Sequence, residues 1–112
     1  MAYNEKLADS IREALAEHEF TDVEEKKMFR GICFMVNGKM CVCASGDEML
    51  CRIGPAYKEA IEKHGVRGMI RNGKNLKDFV FVSHEAMKTK QEFDDWINQA
   101  LAFNKFAKAA KK

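Results

Sequence analysis

The chain has no apolar run approaching the roughly 20 residues that a membrane-crossing helix requires, so no membrane association is expected. Its amino terminus, Met1-Ala2-Tyr3-Asn4-Glu5, lacks a basic start followed by an apolar stretch, which removes the case for an export signal. An excess of one charge is also missing. The 19 Lys and Arg against 17 Asp and Glu leave a formal net charge of +2, too balanced to imply strong nucleic-acid binding from totals. Internal repeats, linkers and low-complexity tracts are absent. The glycines at 31, 38, 46, 54, 65, 68 and 73 punctuate turns, and none forms a phosphate-cradling loop ahead of a helix. Histidine is confined to His18, His64 and His84, at the ends of predicted elements, so only folding could bring one to a cysteine nucleophile. These absences point to a cytoplasmic chain with no catalytic, cofactor or metal site in view.

What is present is apolar surface in regular patterns. At 112 residues and 46% hydrophobic, one domain is expected, able to bury about two-thirds of its unfolded surface. Met28 to Val36 is apolar and partly β-branched, and Asn37-Gly38 follows as a dipeptide that tolerates φ > 0 at both turn centres. Lys39 to Ala44, the turn Ser45-Gly46-Asp47 and Glu48 to Ile53 complete a meander of three strands. Ahead of it, Tyr3 to Glu17 reads as an amphipathic helix with Leu7, Ile11 and Leu15 on one stripe and Asn4 as N-cap. Glu19 to Glu25 reads as a polar connection.

Beyond the meander, Gly54-Pro55 opens a helix to about Lys63, with Gly65 as its stop. Val66 to Ile70 reads as a short edge strand, Asn72-Gly73 as a second hairpin dipeptide and Phe79 to Val82 as the last strand. Thr89-Lys90-Gln91-Glu92 has the form of a capping box. It opens a helix whose stripe is Phe93, Trp96, Ile97, Ala100, Leu101 and Phe103, with Lys105, Lys108, Lys111 and Lys112 suiting its negative end. About eight residues at the carboxy terminus are expected to fray. The predicted fold is α+β, a single antiparallel sheet with a meander core packed by N-terminal, central and C-terminal helices.

The first long strand is apolar on both faces, since Met28, Phe34 and Val36 alternate with Phe29, Cys33 and Met35. A sheet wet on one side would alternate more cleanly. Helices must cover both faces, or a second copy of the chain covers one. Cys33, Cys41, Cys43 and Cys51 all fall in the strands. Without an export signal, they are expected as reduced, core-filling thiols. Cys41 and Cys43 should share one strand face, with Cys33 or Cys51 across from them, which leaves a zinc site conceivable but off the common spacings.

The run from Glu25 through Met40, the run Gly46 to Gly54, and Gly73 to Val82 with the closing helix around Trp96 together resemble the amino-terminal domain of the TfoX/Sxy family. That family carries a Lys-Met-Phe-Gly-Gly run, an Asn-Gly hairpin and a later strand ending in Gly. The resemblance covers nearly the whole chain. It implies an α+β domain with one antiparallel sheet and a regulatory rather than enzymatic role, since TfoX/Sxy proteins promote DNA-uptake genes in bacterial competence alongside a cyclic-AMP-dependent activator. Arg30 stands where the family usually has the first glycine of its pair. Full-length members carry a second domain, so this chain reads as a stand-alone first domain, able to bind a partner apart from competence.

The candidate partner- or anion-binding residues are Lys27, Arg30, Arg52, Arg67, Arg71, Lys74 and Lys77, with Lys26 and Lys39 nearby in sequence. They form an anion-attracting surface if the fold gathers them, and scattered solvated charge if it does not. Arg52, between Cys51 and Ile53, is read either as paired to a carboxylate or as a ligand contact. The expected partner is a protein, a second copy of the chain included. A small nucleic-acid-binding accessory is the alternative reading.

Overall fold

The computed structural model describes residues 3–17, 22–28, 31–71 and 73–106, the side chains of Met28, Arg71, Lys74, Asn75 and Leu76 excepted. Helix α1 spans Glu5–Ala16, followed by strands β1 (Val23–Met28), β2 (Gly31–Val36), β3 (Lys39–Ser45) and β4 (Glu48–Arg52). A 3-10 turn, Gly54–Ala56, leads into the short helix α2 (Tyr57–Ala60), and then come β5 (Val66–Arg71), β6 (Lys74–Val82) and α3 (Lys90–Asn104). The strands form one six-stranded sheet in the order β1-β2-β3-β4-β6-β5, every neighbouring pair antiparallel. The α+β architecture expected from sequence is the one observed.

Local chemistry accounts for much of it. Asn37 and Gly38 take φ of 54° and 80°, the left-handed pair that a tight hairpin needs. Asn4 caps α1, its Oδ1 accepting from the backbone N–H groups of Lys6 and Leu7 at 2.9 and 3.1 Å. Thr89 and Glu92 form the reciprocal capping box that starts α3. Gly31 serves a different need: a Cβ there would run into the carbonyl oxygen of Ala44, so only glycine lets β2 lie against β3 at this point.

All three helices lie on one face of the sheet. Ala8, Ile11 and Leu15 of α1, Ala60 of α2, and Trp96, Ile97 and Ala100 of α3 share a core with Ile32, Phe34, Val36, Val42, Met49, Val80 and Val82. The end of α3 is stitched to the β2–β3 turn by Asn104. Its Nδ2 donates to the Val36 carbonyl oxygen at 3.0 Å, and its backbone carbonyl accepts from Lys39 Nζ at 3.1 Å. Indole Nε1 of Trp96 donates to the Ala86 carbonyl at 3.0 Å, so that buried ring leaves no polar group unmatched.

Several expectations need correction. Val23–Met28 is a strand, not part of a polar connection, and β1 and β2 are separate strands instead of one run through Val36. β1 was hidden because Glu24, Glu25, Lys26 and Lys27 are all exposed on a sheet edge, where no apolar alternation is required. The central helix is one short turn of α-helix after a 3-10 turn. β6 begins at Lys74, well before Phe79, and Asp78 within it has φ 81°, marking an irregular stretch opposite β5. Asn72, Arg30, His18 and the carboxy-terminal 107–112, with the fraying expected there, lie outside the described residues.

The cysteines depart furthest from expectation. Cys33 and Cys43, directly opposite in β2 and β3, form a disulfide. Phe34 pairs with Val42 and Met35 with Met40, so Cys41 is the extra residue of a β-bulge. The bulge puts Cys41 beside Val42 on the helix-covered face while Cys43 keeps to the other, and the two do not share a face as alternation would demand. A joint site of all four sulfurs is thereby ruled out: one pair is bonded on one face, and Cys41 and Cys51 are buried on the opposite one.

Candidate interaction face

The sheet face away from the helices carries its own apolar cluster. Cys33, Met35, Met40, Cys43 and Leu50 are fully or nearly buried at its centre, and half-buried Met69, Phe79 and Phe81 pack against them. Every member of this cluster comes from a strand. Among the described residues no helix contributes to it. Arginines close the cluster from above. The guanidinium of Arg67 lies 4.3 Å from the Phe81 ring centroid, and that of Arg52 lies 5.5 Å from that of Phe79. Arg67 is also held in a fork by Glu48, donating from Nη2 to Oε1 at 2.6 Å and from Nε to Oε2 at 3.2 Å. The face is thus aromatic and thioether-rich, with cationic planes laid over its rings, a composition typical of protein-binding patches.

The candidate basic residues fall in several places. Arg52 and Arg67 meet on the face just described. Lys27 is on β1, opposite Ile32, and so belongs with the helix-side residues at one edge of the sheet. Arg71 and Lys74 pair across the β5–β6 hairpin at the other edge, and Lys77 is exposed on β6. The side chains of Arg71 and Lys74, and all of Arg30, are outside the description. Met69, Phe79 and Phe81 were not singled out from sequence. The signal was present in Phe79-Val80-Phe81-Val82, where aromatics hold one parity and the smaller valines the other, helix-covered one.

On the helix side, a cleft of about 720 Å³ lies between α1 and the segment entering α3. Leu7, Ala14, Met87 and Phe93 supply its apolar part, while Lys90, bonded to Asp94 at 2.7 Å, stands at its rim. The thiols nearest to chemistry are quiet. Burial pushes Cys41 up to about 12 against a small opposing pull from the Arg52 charge. Burial, with the nearby Cys41, also holds Cys51 well above the ordinary thiol range. Both therefore stay protonated near neutrality and are poor nucleophiles.

The family model of the TfoX N-terminal domain matches residues 7–104. No curated protein and no solved structure matches the chain.

Proposed function

Because the chain belongs to the TfoX N-terminal domain family, we propose that it is a non-enzymatic, cytoplasmic regulatory module that acts by binding another protein through the sheet face against which none of the described helices packs. The observation that carries this is the apolar cluster on that face, centred on Leu50 and rimmed by Phe79, Phe81 and Met69 with Arg52 and Arg67 over the rings. A structural sheet face that only met water would alternate polar residues there. The rim favours a partner that offers apolar side chains bordered by carboxylates, which the arginines can meet while their aromatic supports are covered. The protonated, buried thiols fit a binding role better than a nucleophilic one. Nucleic acid is not favoured, because the candidate cations are dispersed: Arg52 and Arg67 lie on one sheet face, and Lys27 and the Arg71–Lys74 pair sit at opposite sheet edges.

The test compares immobilised wild type with a Phe79→Ser/Phe81→Ser variant and a control altered on the exposed helix surface, Lys58→Glu. A protein retained by wild type and control is purified and titrated calorimetrically against all three. Affinity at least about tenfold weaker for the aromatic variant alone supports the reading, hot-spot aromatics being worth that much or more. Equal affinity for all three, or loss with Lys58→Glu alone, refutes it.

A further inference from the structure

The two edges of the sheet differ in a way that bears on self-association. β5 has two arginines, Arg67 and Arg71, and no acid of its own, together with the bulge near Met69, so a second β5 would bring arginines to it with no opposite charge on the strand to pair with, Glu48 of β4 being already engaged with Arg67. β1 reads Val23-Glu24-Glu25-Lys26-Lys27-Met28, with two acids followed by two bases, all exposed. Charge on an edge strand normally keeps strands apart. A block of this kind repels a parallel copy and suits an antiparallel one.

Geometry narrows the pairing. Two copies meeting antiparallel along β1 are related by a twofold axis perpendicular to the sheet, and such an axis keeps each face on its own side. Residues directly opposite must then come from the same face, and strand faces alternate. Glu24 and Lys26 share the helix-free face, lying opposite Met35 and Cys33, while Glu25 and Lys27 share the helix side, opposite Phe34 and Ile32. Centring the axis on Glu25 sets Glu24 against the second copy's Lys26 twice over and places Glu25 diagonal to Lys27 on the other face. The one like-charge meeting, Glu25 with its own equivalent, is already neutralised. Arg12 of α1 grips each Glu25 with Nε and Nη2 at 2.6 and 2.8 Å. Centring on Lys26 instead pairs Glu25 with Lys27 twice but opposes two lysines, and among the described residues no carboxylate is bonded to Lys26 as Arg12 is to Glu25.

We propose that β1 is a homodimerisation edge: two copies pair antiparallel through Val23–Met28, centred on Glu25, to form one continuous sheet. The six-residue strand makes this a modest interface with a concentration-dependent equilibrium. The inference stands apart from the partner-binding face and does not require it.

Light scattering on the eluting protein at about 100 µM, a concentration chosen to populate modest interfaces, reads the outcome. Wild type is expected at twice the chain mass. Glu24→Lys and Lys26→Glu, each converting two attractive cross-strand pairs into repulsive ones, are expected to weaken the dimer at least about tenfold. Mixing these two single variants restores every opposite-charge pair and is expected to yield a heterodimer, and the double swap within one chain is expected to restore the homodimer. Circular dichroism confirms that each remains folded, which their exposure favours. A monomeric wild type, a dimer indifferent to either reversal, or a mixture that stays monomeric overturns the proposal.

Discussion

Replacing Asn104 by alanine removes a side chain that is only 4% exposed and that joins the last turn of α3 to the β2–β3 hairpin. The donor to Val36 O at 3.0 Å is lost, while the 3.4 Å contact from Asn37 is too long to add much. Losing this buried hydrogen bond together with the packing of the amide costs about 1–3 kcal/mol, and we take about 2 kcal/mol as the expected loss. With a urea slope on the order of 1–3 kcal/mol/M, the midpoint should fall by about 1 M at unchanged slope. Asn104→Asp is a sharper probe. At pH 7 it aims a carboxylate at the Val36 carbonyl and should cost more than alanine. The folded state would raise that carboxyl above its ordinary value of about 3.9, so the unfolded chain loses its proton first and stability falls as pH rises through and beyond that value. Equilibrium urea unfolding by circular dichroism at pH 3.5 and pH 7 measures both. An alanine variant within about 0.5 kcal/mol of wild type, an ordinary surface effect, would refute the stitch, as would an aspartate variant no worse than alanine at pH 7.

Gly31→Ala would drive a methyl into Ala44 O, and the forced separation of β2 and β3 should cost at least about 1–3 kcal/mol or abolish soluble expression, read by thermal melts. Breaking the Cys33–Cys43 bond, which closes a sequence separation of 10, should lower stability by about 2–3 kcal/mol on the loop-entropy estimate, measured as wild type against Cys33→Ala/Cys43→Ala under non-reducing conditions. For Cys41 and Cys51 the folded values lie above the unfolded ones. The unfolded chain therefore releases thiol protons first, from about pH 8.5. Stability should be flat below that point and then fall by up to about 1.4 kcal/mol per pH unit per thiol until the folded thiols ionise, that of Cys41 at about 12. The Cys41→Ala/Cys51→Ala chain should lose that alkaline slope; the same slope in both would show that other groups cause it. Native Cys41 and Cys51 should likewise resist thiol reagents at pH 8 and react on unfolding.

Features governed by neighbouring residues were legible in the sequence. Asn37-Gly38, the Asn4 cap and the Thr89–Glu92 box are short-range chemistry, and each stands where the pattern puts it. The stripes of α1 and α3 follow from helical spacing, because each must bury one side against the sheet. β1 was not legible, since an exposed edge carries no hydrophobic period. Apart from the reduced state, which was expected from the lack of an export signal, the cysteine faces were misplaced for one reason. Counting outward from the Val36–Lys39 pair without interruption sets Cys33 against Val42, and only the extra residue at Cys41 brings Cys43 into place. A bulge is decided by how two strands fit together, and neither strand announces it alone. The candidate site was half-visible for a related reason. A strand apolar on both faces was plain, but which face the three helices pack against is a matter of how separate segments fold together.

The bulge has a further consequence for how this hairpin can vary in length. With Cys41 omitted, Met40 and Val42 become ordinary neighbours, and every remaining cross-strand partnership between β2 and β3 keeps its place. Loss of one residue with the bulge left in place shifts all that lies beyond it by one position, exchanging inside for outside. The bulge is therefore where these two strands can shorten without scrambling what each surface displays, and loss of position 41 keeps every other partnership, giving up some local coiling and one small buried side chain.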